Sequence, residues 1–297
     1  MSLVEPEAVN VEARVSEIAS PDFWRRNFPA LHISDRLQKW NQAGLPMTDE
    51  SRNLYFARMM EEGYFQDQSE ACDRIAPLLA EAVTICKRLD IPPAFLFLFD
   101  EPWEMFYSLH PMISSFLGPN YKVLPDFWTW HVDPQAGEAG WRPHRDKGRA
   151  TLAPNGVPTT LTIWIPLTEA TPQNGCMYIL PANRDPVYNT PNEKNWQVDM
   201  AAIRALPGKP GDFFCWNQAV LHWGSMTSRF AKGPRMSMAL EFQRADIPAW
   251  NTPLMDPFTN HTFEDRLKLV GKQILQYKHM YPLAPRFQQL AEKLVSA

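Results

Sequence analysis

Long apolar runs are missing from the chain. The longest, around Ala94–Phe99, falls far short of the about 20 residues that span a bilayer, so no membrane partner is expected. The N-terminal MSLVEPEAVNVEARV has neither the basic region nor the apolar stretch of a secretory signal. Excess positive charge is lacking too. Against 33 Asp and Glu stand 29 Lys and Arg, a formal net charge of −4 that offers nucleic acid no basic field. Cys72, Cys86, Cys176 and Cys215 form no CxxC pair and share no regular spacing. They are expected as buried free thiols of a cytoplasmic protein. Glycine is scarce at 13 residues against 28 prolines, which points to rigid loops and short strands rather than a linker-rich array. There is no internal repeat and no low-complexity tract. What remains, 297 residues with 45% hydrophobic content, suffices for one large core with helical additions.

Three zones separate by pattern inside that single domain. Residues 1–118 read as helical. Ser69 is the expected N-cap of a helix through Leu89, with Cys72, Ile75, Leu78, Leu79, Ala82, Ile85, Cys86 and Leu89 at 3–4 spacing on its apolar face. A second helix is expected from Pro102 to Phe116. Residues 119–245 turn to short runs of Trp, Phe, Ile and Thr punctuated by Pro and Gly: Tyr121–Val132, Thr159–Leu167, Cys176–Leu180, Gly211–Trp216 and Arg235–Gln243. Such a run of short strands is the mark of an all-β sandwich or barrel. Residues 246–297 return to helix, over Phe263–Tyr281 and Arg286–Val295. The expected class is therefore mainly β with α flanks.

One constellation carries chemistry. His144-Arg145-Asp146 is followed 76 residues after its carboxylate by His222, and 13 residues later by Arg235. Two imidazoles and one carboxylate suit non-haem Fe(II), because they grip one face of the ion and leave positions open for a bidentate co-substrate and O2. An i, i+2 pair at a strand end points both side chains to one face, and a distant histidine completes the set. Arg235 opens a strand whose alternation would aim Arg235, Ser237 and Ala239 alike, a fork and a hydroxyl for the far carboxylate of 2-oxoglutarate. Arg229 and Lys232 sit in the preceding loop, where a solvated charge is the default.

A second HxD, His131-Val132-Asp133, closes an aromatic strand and runs directly into Pro134. His144 and Asp146 are preferred as ligands, because they lie immediately before the Thr159–Leu167 strand. His131 is expected to line the pocket beside the metal, with a local hydrogen-bonded turn as its alternative. His32, His110, His261 and His279 are expected to be structural or exposed.

Taken together, these segments resemble the phytanoyl-CoA dioxygenase family of Fe(II)/2-oxoglutarate oxygenases. The likeness runs from Glu62-Gly63-Tyr64-Phe65 to Phe242, carried by WRPHRDKG, TLTIWIPLTEATPQNGCMYILP, KPGDFFCWNQAVLHWGS and GPRMSMALEF. It implies a double-stranded β-helix, a cupin-like jelly roll with the metal at its mouth. It also implies His144, Asp146 and His222 as iron ligands, Arg235 as the 2-oxoglutarate clamp, and Trp164 beside the co-substrate. The implied reaction consumes 2-oxoglutarate and O2, releases succinate and CO2, and hydroxylates an unactivated C–H of a small metabolite, with ascorbate added in assays. A carboxylate at Asp146 implies hydroxylation rather than halogenation. Two departures mark a divergent branch. Pro181-Ala182-Asn183-Arg184 stands where relatives carry Pro-Gly-Ser-His, and the arginine lies farther from the distal histidine. No basic patch suggests CoA, so that substrate does not carry over.

Among the 11 tryptophans, Trp128, Trp130, Trp141, Trp164, Trp216 and Trp223 surround the expected site in sequence. Trp128, Trp130, Trp141 and Trp216 are the candidate substrate wall, with core packing as the alternative role. The long Asn183–Asp199 loop is a candidate lid. The C-terminal helices are candidates to cover the mouth or to form a homodimer. The competing functions are a metal-binding jelly roll without oxygenase activity and a metal-dependent hydrolase.

Overall fold

The structure, a computed structural model, describes residues 16–34, 47–279 and 283–296. Its centre is a five-stranded antiparallel sheet in the order β1-β6-β3-β8-β2, facing a three-stranded sheet in the order β5-β4-β7. These strands are β1 (Tyr64–Gln68), β2 (Lys122–Val132), β3 (Thr160–Pro166), β4 (Met177–Leu180), β5 (Arg204–Leu206), β6 (Asp212–Asn217), β7 (Leu221–Gly224) and β8 (Arg235–Gln243). Helices α1 (Pro21–Asn27), α2 (Asp49–Glu62), α3 (Glu70–Arg88), α4 (Asp100–Tyr107) and α5 (His110–Leu117) precede most of the sheet, while α6 (Phe263–Tyr277) and α7 (Pro285–Ser296) follow it. With a 19-residue helix against a longest strand of 11, the chain is mixed α and β rather than mainly β.

Alternation on the central strands divides the interior in two. Leu161, Ile163 and Ile165 of β3, with Met236, Met238, Leu240 and Phe242 of β8, face a large core shared with the N- and C-terminal helices. Trp164, Phe214, Trp216 and Ala239 face the other way, into the space between the sheets with Ile179 and Leu206. Both faces are buried, so these strands carry almost no exposed residue. The apolar Pro93–Leu98 run is a fully buried 3-10 turn in the larger core.

Several elements differ from expectation. β1 lies inside the zone read as helical and pairs with β6 in register Tyr64↔Trp216 to Gln68↔Asp212. Its five residues, two aromatics followed by three polar residues, show no alternation to announce a strand. The Pro102–Phe116 helix is two helices, because Pro111 cannot donate an amide and the chain turns at Ser108–Leu109. The third expectation, α3, starts after Ser69, although no side-chain cap bond forms there. The C-terminal helix expected to reach Tyr281 ends at Tyr277, and Tyr281 lies outside the described residues. All four cysteines are buried and free. No helix among the described residues is long and apolar enough to cross a membrane.

One irregularity positions the C-terminus. β2 carries Pro125 at a bulge between Val123 and Phe127, where the ladder to β8 loses register. Gln273 of α6 satisfies the freed backbone: its Nε2 donates to the Pro125 carbonyl and its Oε1 accepts from Phe127 N at 3.0 Å. Gln276 adds a 2.7 Å bond to Asp126. The helix so docked delivers Tyr277 to the mouth between the sheets.

Candidate metal centre

His144 is not on a regular strand. The segment Ala139–His144 lies alongside β7 through isolated bridges Ala139↔Met226 and His144↔His222. His144 N donates to the His222 carbonyl and His222 N to the His144 carbonyl, each at 3.0 Å. Gly224 N also donates to the Trp141 carbonyl at 3.0 Å. The approach is so close that a Cβ built on Gly140 would sit 2.4 Å from Gly224 Cα, and one on Gly224 would sit 2.5 Å from Gly140 Cα. The bridge places the two imidazole centroids 4.4 Å apart. Each residue of the HRDKG run then has a task. Arg145 Nη2 pairs with Asp185 Oδ2 at 2.6 Å in a buried site, and the amides of Lys147 and Gly148 donate to the Gln218 carbonyl. Gly148 takes φ 77°, a left-handed conformation costly for other residues.

Ligand atoms of His144, Asp146 and His222 all lie within 4.8 Å of one another. Both imidazole Nε2 atoms stand 3.4 Å from Asp146 Oδ1. His144 Nδ1 lies 2.7 Å from the Arg142 carbonyl and His222 Nδ1 3.2 Å from the Val220 carbonyl. A carbonyl only accepts, so each Nδ1 carries the proton and each Nε2 keeps its lone pair for a metal. The other carboxylate oxygen is tied back: Asp146 Oδ2 accepts from Thr162 Oγ1 at 2.7 Å and from Trp216 Nε1 at 3.0 Å. One oxygen thus faces the ligand space.

The electrostatics agree with a cation there. Burial opposes ionisation of Asp146, yet the imidazoles of His222 and His144 and the Thr162 bond hold its carboxyl well below the usual range. Burial pushes His222 down to about 4, so it stays neutral. For His144 burial is outweighed by the hydrogen bond and charge of Asp146, and its pKa is raised.

A single cavity joins the triad to the other expected residues. Its atom-free space, open mouth included, is about 530 Å³. Trp128, Trp130, Trp141, Trp164, Trp216 and Arg235 line it with His144, Asp146 and His222. Arg235 is 1% exposed, bonds Ser237 Oγ through Nη1 at 2.6 Å, and holds its guanidinium 5.8 Å from the Trp164 ring. Trp216 serves Asp146 through its indole N–H rather than standing only as a wall.

Three expected placements are corrected. His131 does not reach this cavity; one position on from Trp130, it faces the other side of β2, into a separate hollow with Lys87, Glu138 and Phe287. Its partner in the triplet, Asp133, closes a turn by accepting from Gln135 N at 2.9 Å. Trp223 stacks on Tyr178 outside the cavity. The Asn183–Asp199 loop does not line the cavity and straps the HRD segment instead, through Asp185 and through Glu193, which accepts from Arg149 N at 2.7 Å.

Sequence reasoning missed Thr162, Glu241, Asp126 and Tyr277, all cavity residues. Thr162 and Glu241 could have been found by extending the alternation already applied to Trp164 and Arg235, since Thr162 pairs with Glu241 and with Trp216 across the sheet. Tyr277 carries no local signal. It packs against Trp141 at 5.0 Å and Trp128 at 5.4 Å from the far end of the chain.

The phytanoyl-CoA dioxygenase family model matches residues 64–232. No curated protein matches the chain. Among solved structures, a non-heme monooxygenase, ThoJ in its apo form, is 14% identical, covering 82% of this chain and 99% of its own at a TM-score of 0.52. AviO1 from Streptomyces viridochromogenes Tue57 is 15% identical, covering 68% and 99% at 0.50. EvdMO1 is 21% identical, covering 65% and 50% at 0.50. At these identities the likeness is one of fold.

Proposed function

The chain belongs to the phytanoyl-CoA dioxygenase family, and from that premise we propose that it is an Fe(II)- and 2-oxoglutarate-dependent oxygenase that hydroxylates an unactivated C–H of a small metabolite. The two facing sheets are then a double-stranded β-helix, and residues 1–297 act as one oxygenase domain. The observation that carries the reading is the sharing of one cavity by a converging His-Asp-His face and a buried arginine.

The donor set fits Fe(II): two neutral imidazole Nε2 atoms and one carboxylate oxygen point inward, and their outer atoms are already engaged. Iron with 2-oxoglutarate and O2 supplies the oxidising power, with succinate and CO2 as co-products. The remaining work belongs to the chain. His144, Asp146 and His222 would hold the ion. Arg235, with Ser237 beside it, offers a buried planar fork for the distal carboxylate of 2-oxoglutarate, and Trp164 packs along it. Trp128, Trp130, Trp141 and Tyr277 wall off water on the substrate side.

The test is succinate formation from 2-oxoglutarate under air with Fe(II) and ascorbate, together with a metabolite-pool screen for a mass gain of one oxygen that depends on 2-oxoglutarate. Tight metal binding with no 2-oxoglutarate turnover across that screen would favour a metal-binding protein without oxygenase activity.

A further inference from the structure

We propose that the end of the cavity opposite Arg235, built by Glu241 and Asp126, receives a cationic amine on the primary substrate; this rests on the oxygenase reading and names its substrate class. β8 lays Arg235, Ser237, Ala239 and Glu241 along one face, with Arg235 and Glu241 six positions and roughly 20 Å apart. The metal triad adjoins the Glu241 end, since Thr162, the residue bonded to Asp146, is the register partner of Glu241. The cavity floor is therefore basic at one end and acidic at the other.

At the acidic end one ammonium, that of Lys147, faces two carboxylates, and Lys272 reaches Asp126 only through Asn251. Asp126 and Glu241 share Lys147, which contacts Glu241 Oε2 directly and stands 3.9 Å from Asp126 Oδ1. Asp126 is further satisfied by Asn251 at 2.8 Å and Gln276 at 2.7 Å. Glu241 Oε2 also accepts from Gln218 at 2.7 Å, but no described residue donates to Glu241 Oε1, and the residue is only 9% exposed. That oxygen opens on the cavity, where it can accept a hydrogen bond from an incoming N–H. Burial, with Asp126 and Asp146 nearby and only Lys147 opposing, pushes the Glu241 carboxyl up to about 8, a rise that an ammonium bound beside it would reverse by displacing the proton. Around it stand Trp128, Trp141 and Tyr277, whose ring faces attract a desolvated ammonium. A carboxylate substrate would meet like charge here, and an alcohol would meet the acceptor but not the missing charge.

The experiment uses the full chain loaded with Co(II) and 2-oxoglutarate, and measures by calorimetry the binding of phenethylamine, 2-phenylethanol and 3-phenylpropanoate. The amine is expected to bind at least about tenfold more tightly than the alcohol, the scale of one charge-assisted hydrogen bond, with the acid weakest. E241Q should bring the amine down to the alcohol's affinity while Co(II) and 2-oxoglutarate affinities hold. D126N, expected to weaken the amine less, provides the same reading should E241Q lower the melting temperature. Equal affinity for amine and alcohol, no saturable amine binding, or an amine affinity untouched by both variants would overturn the proposal. Each of those results with Co(II) and 2-oxoglutarate bound leaves the oxygenase reading standing. Failure of the wild type to bind either of them brings that reading down, and this one with it.

Discussion

His131-Val132-Asp133 and His144-Arg145-Asp146 have the same residue types at the same spacing and opposite fates. The first sits at the end of a regular strand, β2, where the pleat turns His131 away from the cavity and leaves Asp133 to close a turn. The second sits in a loop strapped by Asp185 and Glu193 and bridged to β7, where both side chains converge on His222. Burial lowers the pKa of His131, while Asp146 raises that of His144 against burial. The spacing of a triplet thus says little about metal binding. What decides is whether the backbone around it is locked against the strand that carries the third ligand.

The largest expected effect breaks this contrast outright. His144→Ala and His222→Ala should each abolish measurable Co(II) or Fe(II) binding by titration, whereas His131→Ala should keep both metal affinity and the KM for 2-oxoglutarate. Metal retention in His144→Ala would reverse the assignment. Asp146→Gly should similarly remove most turnover by deleting the charged ligand, and a wild-type rate in that variant would show that this carboxylate does not bind iron.

Next in size is the co-substrate clamp. If Arg235 holds 2-oxoglutarate as proposed, Arg235→Ala should leave a buried carboxylate unpaired, a loss of roughly 2–5 kcal/mol and so a KM raised at least about tenfold, with metal affinity unchanged. Arg235→Lys should recover only part, because an ammonium lacks the planar fork. Arg229→Ala is the control, since Arg229 lies outside the cavity. Smaller again are the bonds behind Asp146: Trp216→Phe and Thr162→Val should each weaken metal affinity by about tenfold, the lower range for outer-shell partners.

The smallest effect sharpens the comparison without any substitution. In the metal-free protein, an NMR titration should find His144 protonating above the ordinary imidazole value of 6.5 and His131 protonating below it. A metal must displace that proton from His144, so Co(II) affinity should fall as pH drops through the raised value. Coincident titration of the two histidines would contradict the contrast.

Much of the site was legible in sequence because it is local. The HxD triplet, the histidine after a Pro-Gly-Asp turn and the arginine at the head of a strand are read from short patterns, and alternation alone put Arg235, Ser237 and Ala239 on one face. Alternation also contained Glu241 and Thr162, but nothing local said that a buried polar residue two positions on would meet the cavity. His131 was misplaced although alternation sufficed to exclude it: with Trp128 and Trp130 on the cavity face of β2, the next residue must face the other way. Tyr277 was invisible for a different reason: its place follows from Gln273 docking on the bulge at Pro125 some 150 residues earlier. Long-range pairing between a helix and an interrupted ladder leaves no trace in either segment alone.

The two glycines where the HRD approach crosses β7 bear on how the metal site can vary. Gly224 is two residues from His222 and Gly140 four from His144, and neither has room for a carbon between them. A methyl group at either position acts as a wedge, prising the loop from the strand and widening the gap between the imidazoles. The bite of the ligand set on its ion is therefore gauged by two hydrogen atoms that no metal touches.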